Sequence, residues 1–338
     1  MDLSIVDIAP VRKGHTATDT FEDSVRLAQA ADTAGYRRYW VAEHHGMGQS
    51  VASTTPEVLI AHLATRTEDI RLGSGTVLLN HYSAFKVAET FCVLDALTPG
   101  RIDLGLGRAV GMPAADRALQ SGVSPQVIET DHQDKIEEVA RHLDGAFPED
   151  HPYNDIVLPR SADSVPVVWV LGSSPSSAKI AGSLGLRYAF AAFIRPEFAK
   201  TALETYQETF QASAFDLGID EPHTALAINC AVAETDEAAA RLRASSEAAY
   251  RRMAQGRIGP PLSVDEAIDL LGSVPEPTPV SVVDDDWPRV VSGSPETIET
   301  ILSGMASRVN VDELIIQNLI EDPEDRITSH RLLAEQVG

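Results

Sequence analysis

Four short stretches carry residue types and spacings that can do chemistry. The first is Trp40-Val41-Ala42-Glu43-His44-His45. A histidine at the end of a strand can act as acid or base near neutral pH. Adjacent side chains on a regular strand point to opposite faces, so one histidine faces a site and the other supports it or faces outward. On spacing alone, a hydrogen-bonded histidine pair closing the strand fits these residues better than a catalytic group. A zinc site fits less well still, because Glu43-His44-His45 matches neither HExxH nor HxxEH.

The second stretch is Arg101-Ile102-Asp103-Leu104-Gly105-Leu106-Gly107-Arg108. Ile102, Leu104 and Leu106 share one strand face; Asp103, Gly105 and Gly107 share the other. The glycine side is read as room for a flat ligand. Arg108 follows the strand, where a guanidinium can grip a phosphate through two parallel hydrogen bonds. The alternative is a surface arginine after a glycine-softened strand. The third stretch, Leu171-Gly172-Ser173-Ser174-Pro175-Ser176-Ser177-Ala178, joins a strand to a helix. The free N–H groups of a helix N-terminus attract anions, and Ser173, Ser174, Ser176 and Ser177 add hydroxyl donors for a phosphate. One serine cap needs no ligand; four serines around a Gly and a Pro point to a phosphate site. The fourth is Leu72-Gly73-Ser74-Gly75-Thr76-Val77, where two glycines suggest close approach of a planar group or, equally, a β-bulge.

Regular elements must hold these stretches. Short β-branched runs alternate with helical ones, the pattern of βαβ units and a parallel sheet. Strands are expected near residues 3–9, 38–42, 70–78, 102–107, 167–171, 188–191, 224–233 and 313–317. Eight strands favour a closed (β/α)8 barrel over an open sheet, with residues 1–338 forming one domain. Helices fill the gaps at 21–34, 56–67, 85–97, 126–143, 176–184, 197–212, 237–253, 295–306 and 324–336. Ser294-Pro295-Glu296 reads as an N-cap, a proline at the first helical position and an acid in the first turn. Residues 109–125 and 256–293 break the rhythm. Both are expected as long loops above the C-terminal face, the second as a lid rich in Pro, Gly, Ser and Asp.

Composition narrows the partners. The 338-residue chain is 43% hydrophobic and 23% charged, enough apolar material for a large core. A net charge of −23 repels nucleic acid and anionic membranes. Two distant cysteines, Cys92 and Cys230, suit a reducing cytoplasm without disulfides or a cysteine-based metal site. Asp2 and Asp7 in an N-terminus without basic residues argue against a signal peptide, and no apolar run reaches the roughly 20 residues of a membrane helix.

Taken in order, AEHH at 42–45, RLGSGTVLLNH at 71–81, KVAE at 86–89, PGRIDLGLGR at 99–108, RAL at 117–119, LGSS…SA at 171–178, GLRYAFAAF at 185–193 and SGSPETI at 292–298 span nearly the whole chain. Each is common; their order and spacing are specific. The chain resembles the bacterial luciferase-like flavin monooxygenases. The resemblance implies a (β/α)8 barrel that binds FMN as FMNH2 at its C-terminal mouth and uses O2 as co-substrate through a flavin C4a-(hydro)peroxide. It implies a separate NAD(P)H:flavin reductase, a homodimer through helices next to the second and third strands, and a small organic substrate. Tailoring of a secondary metabolite, as in antibiotic biosynthesis, fits this branch. By residue, it implies that His44 assists the oxygenating chemistry. Gly75-Thr76 matches a position often holding a non-proline cis peptide beneath the flavin ring. Arg108 and Arg117 match arginines that hold the phosphate, and Ser173, Ser174, Ser176 and Ser177 match the phosphate turn. Residues 256–293 match the mobile lid. The chain departs from close relatives at Leu78–Phe85, where LPNHAPL is usual, and has Gly107 where luciferase α chains carry a reactive cysteine, so light emission is not implied. Two other functions share the barrel: F420-dependent hydride transfer, and flavin binding without catalysis.

Overall fold

The computed structural model describes residues 1–108, 112–121, 131–280 and 287–337. The β-branched runs become strands β1 (Asp2–Asp7), β2 (Arg38–Val41), β3 (Arg71–Ser74), β4 (Val77–Leu78), β5 (Ile102–Gly107), β6 (Val167–Gly172), β7 (Arg187–Ala191), β8 (Thr224–Val232), β9 (Val290–Gly293) and β10 (Glu313–Gln317). All pair in parallel in the order β10-β1-β2-β3-β5-β6-β7-β8, and β10 also pairs β8, which closes an eight-stranded barrel. β4 pairs β5, and β9 lies against the C-terminal end of β8. The expected strand at 70–78 is therefore split. A cis peptide bond joins Gly75 to Thr76, and Gly75 N–H continues the β2–β3 ladder by donating to Val41 O at 2.7 Å.

Helices α1 (Ala17–Thr33), α2 (Pro56–Ala64), α3 (Ala84–Leu97), α4 (Pro113–Gln120), α5 (His132–Asp144), α6 (Pro175–Leu184), α7 (Ala199–Thr209), α8 (Asp236–Ala254), α9 (Val264–Leu271), α10 (Pro295–Val309) and α11 (Pro323–Val337) flank the barrel. Their ends follow local chemistry. Thr16 and Asp19 form a reciprocal cap on α1, and Ser294 caps α10 ahead of Pro295. Gly185 closes α6 in the left-handed conformation at φ 61°. Ile102, Leu104 and Leu106 of β5 pack outward into the main core between strands and helices.

Inside the barrel, Val6, Trp40, Trp169 and Ile315 mix with Ala42, Ala189, Ala225 and Ala227. Barrels usually fill this space with bulky branched side chains. Here two tryptophans, edge to face at 5.7 Å, plug the lower half. The alanines leave the upper half open. Beneath the tryptophans lies a buried ionic layer: Asp103 accepts from Arg38 Nε (3.3 Å), Arg71 Nε (2.7 Å) and Trp169 Nε1 (3.0 Å), while Arg38 and Ser4 both reach Glu313. Burial pushes the Glu313 carboxyl up to about 7, against the pull of Arg38.

Neither expected loop is featureless. Residues 113–120 of the first form α4; residues 109–111 and 122–125, and 126–130 of the expected helix, lie outside the described residues. The second contains α9, capped reciprocally by Ser263 and Glu266, and β9. Ala267 packs on Ala244 and Ala248 of α8, and Arg243 donates to Thr278 Oγ1 (2.5 Å) and to Glu276 O. The described part of 256–293 thus packs on α8 and β8; residues 281–286 lie outside the described residues.

Candidate active site

The space left by the barrel's alanines is a cavity of about 400 Å³ at the C-terminal end of the strands. Trp40, Ala189, Ala227 and Ile315 line it within the barrel; Met47, Val51, Phe193, Met253 and Leu319 add apolar walls; Arg108, Ser173 and Arg289 bring polar groups. Its size falls within the range of about 300–1,000 Å³ typical of small-molecule sites.

The glycines have a different use from the expected one. A Cβ on Gly73 would stand 2.7 Å from the Trp40 indole, and one on Gly75 would stand 2.9 Å from Trp40 Cβ. The planar group that approaches them is therefore the chain's own tryptophan. A Cβ on Gly105 would meet Ser74 O at 2.1 Å, and one on Gly107 would meet Thr76 Cγ2 at 2.8 Å. The space read as room for a flat ligand beside β5 is filled by Ser74 O and the Thr76 side chain, and neither Gly105 nor Gly107 lines the cavity. Gly75 and Thr76 do line it.

The histidine pair divides its roles. His44 lines the cavity, with its N–H donating to Ser53 O and its Nδ1 buried without a partner among the described residues. Burial, then the neighbouring His45 charge, holds its pKa below the ordinary value, so the ring is neutral at neutral pH. His45 points instead to Glu43, with Nε2 2.6 Å from Oε1. Glu43 also accepts from Tyr82 OH (2.7 Å) and Leu78 N (3.0 Å), so a buried carboxylate fixes the turn that presents His44.

Arg108 leaves the end of β5 and lines the cavity. Two residues absent from the sequence reading stand near it on one face of α5. His132 is held down to about 4, by burial first and by the Arg108 charge second. Lys135 is buried, and burial lowers its pKa, with Arg108 adding to the effect. Their i, i+3 spacing was the available signal, but only the fold brings that face to Arg108.

The four serines separate in the same way. Ser173 lines the cavity. Ser174 caps α6, its Oγ accepting from Ser177 N at 3.4 Å. Ser177 Oγ is committed inside the protein, 2.7 Å from Ser174 O and 3.1 Å from Tyr188 OH. Ser176 is exposed. Of the four serines read as phosphate donors, Ser173 lines the cavity, while the Ser174 and Ser177 side chains also hold the turn together. Arg117 is exposed on α4 and is not among the lining residues, so the structure does not bring it to the Arg108 side of the site. Arg289, Tyr250 and Gln317 were also missed, since nothing local in their segments marks them. No cluster of three or more metal-ligating side chains occurs among the described residues, and no described helix is long and apolar enough to cross a membrane.

An enclosed apolar slot, unpartnered nitrogens on His44 and Trp40, and a cationic, hydroxyl-bearing rim fit a flat aromatic group with an anionic tail. The chain has relatives in both sequence and fold. It is 35% identical to the N-acetyl-S-alkylcysteine monooxygenase of Bacillus subtilis over 99% of this chain and 98% of the relative. The crystal structure of apo-MsnO8 is 40% identical, covers 99% of this chain and 98% of that one, and superposes with a TM-score of 0.86. The oxygenating constituent of 3,6-diketocamphane monooxygenase from Pseudomonas putida, solved with FMN, shares the fold at 21% identity and a TM-score of 0.69, with 100% and 98% coverage. An F420-dependent secondary alcohol dehydrogenase shares it at 16% and 0.68, with 100% and 99% coverage. The family model for luciferase-like monooxygenases matches residues 1–269. The chain belongs to the luciferase-like monooxygenase family and is an enzyme acting as a monooxygenase.

Proposed function

We propose that this enzyme is the oxygenating component of a two-component monooxygenase that uses FMNH2 and O2 on a small organic substrate. The observation that carries the reading is the convergence of His44, Gly75-Thr76, Arg108 and Ser173 on one apolar cavity from four separate strand ends. Arg108 and Ser173 would hold the flavin phosphate, with the exposed N-terminal turn of α6 beside Ser173 and the Lys135 charge behind Arg108. The Gly75-Thr76 turn and the Trp40 indole give the flat ring a floor. The reduced flavin, when bound, supplies two electrons for activating O2, so that one oxygen atom goes to substrate and the other leaves as water. The chain's part is to exclude bulk water with the apolar walls and to handle a proton. His44, held neutral, has Nδ1 free to take or give that proton once a ligand fills the site.

A separate NAD(P)H:flavin reductase would deliver the FMNH2. Two copies would pair through α2 and α3, which carry exposed Val58, Val93 and Leu97. The test measures reduced-FMN affinity by anaerobic ultrafiltration, then turnover with and without O2. Arg108→Gln and Ser173→Ala are each expected to weaken FMNH2 binding, the arginine by about tenfold or more. Unchanged affinity in both variants, or turnover that continues without O2 as F420-type hydride transfer would, overturns the reading.

A further inference from the structure

We propose that Arg289 anchors a carboxylate on the substrate, so that the enzyme acts on an organic acid whose apolar body lies in the cavity. The inference rests on the flavin reading, because it leaves the Arg108 side of the site to the cofactor's phosphate.

The chain carries a net charge of −23, yet the charged residues lining the cavity are Arg108, Arg289 and Glu43, with the neutral His44 beside them. Glu43 is spent internally on Leu78 N, Tyr82 OH and His45. Among the described residues, no carboxylate pairs with Arg289. The two arginines stand apart on the barrel rim: Arg108 follows β5, while Arg289 lies against the segment after β7, two strands further round.

Two contacts among the described residues hold Arg289 in place. One Nη2 donates to Ile194 O at 3.2 Å, and the guanidinium carbon stacks 5.1 Å from the centre of the Tyr250 ring. Tyr250 is itself fixed: its OH donates to Gln317 Oε1 at 3.2 Å, and the same oxygen accepts from buried Asn229 Nδ2 at 3.3 Å. One edge and one face of the guanidinium are thereby used. The remaining N–H groups form a planar fork that suits a carboxylate. Arg289 is exposed at the rim of a cavity whose walls are largely apolar, with Met47, Val51, Phe193, Ile194, Met253 and Leu319 among them. A cation at this rim favours an amphipathic acid and disfavours an amine, which would meet like charge.

The test is calorimetric titration of the FMN-loaded protein with matched pairs, 4-phenylbutanoate against 4-phenylbutanamide and octanoate against octanamide. In the wild type each acid is expected to bind about tenfold or more tightly than its amide. Arg289→Gln abolishes that difference, Arg289→Lys restores part of it, and neither changes FMN affinity. The proposal is overturned by equal binding of acid and amide, by no acid binding up to roughly 10 mM, or by an Arg289→Gln loss of FMN affinity matching that of Arg108→Gln. If the wild type fails to bind FMN, the flavin reading falls, and the same acid–amide comparison on the flavin-free protein still judges Arg289.

Discussion

The floor of the cavity depends on a glycine, and replacing it gives a prediction with a worked sign. Gly73 is buried on β3 with its missing side chain directed at Trp40, so that a Cβ there would stand 2.7 Å from Cε3 and Cζ3 and 3.0 Å from Asp103 Cβ. The indole cannot retreat downward, because Trp169 meets it edge-on at 5.7 Å. Gly73→Ala therefore drives the indole up into the space read as the flavin site. Overpacking of this kind costs about 1–3 kcal/mol. The smaller backbone entropy of alanine in the unfolded chain returns about 0.4–1 kcal/mol, which leaves a net loss of up to about 2.5 kcal/mol. Gly304, within α10, has nothing within 4 Å of its would-be Cβ. There the same substitution is expected to stabilise by up to about 1 kcal/mol, through helix propensity alone. Guanidinium denaturation of the two variants against the wild type measures both signs. Trp40→Phe in the Gly73→Ala background tests the cause, because removing the benzo ring should recover part of the loss as a coupling energy. If Gly73→Ala unfolds at the same denaturant concentration as Gly304→Ala, the claim that Trp40 dictates this glycine is wrong.

Three further outcomes are expected. His330 is fully buried, and burial holds its pKa down from 6.5 to about 3. The unfolded chain then binds more protons than the folded one below pH 6.5, so stability falls as the pH falls; at pH 5 the loss is roughly 2 kcal/mol. Urea midpoints between pH 8 and 5 should show that slope in the wild type and a flatter one in His330→Phe. Asp103→Asn removes the negative charge shared by Arg38 and Arg71, and should cost about 3–5 kcal/mol in the same assay because it leaves part-buried Arg71 without its carboxylate and buried Arg38 with Glu313 alone; a loss under 1 kcal/mol contradicts the role given to the ionic layer. Ser177→Ala should lower stability by about 1 kcal/mol and leave FMN affinity unchanged, whereas Ser173→Ala should do the reverse; a weakened flavin in Ser177→Ala would return that hydroxyl to the ligand.

Alternating β-branched runs and helical stretches are local properties, set by side-chain spacing within a few residues. They made all eight barrel strands legible, with β3 and β4 read as one. Ser294-Pro295 marked its helix start, and the motifs around His44, Arg108 and Ser173 marked three of the residues that now share the cavity.

Closure of the barrel decided the rest. Gly73, Gly75, Gly105 and Gly107 looked alike as space for a ligand. Only the register between β2, β3 and β5 reveals that Trp40, Ser74 O and the Thr76 side chain occupy that space. The four serines were equivalent in the linear order until the fold turned Ser177 to Tyr188 and Ser173 to the cavity. His132 and Lys135 beside Arg108, and Arg289 stacked on Tyr250, join elements distant in sequence. Such meetings follow from which strands become neighbours when the sheet closes, a long-range condition that no local run of residues encodes by itself.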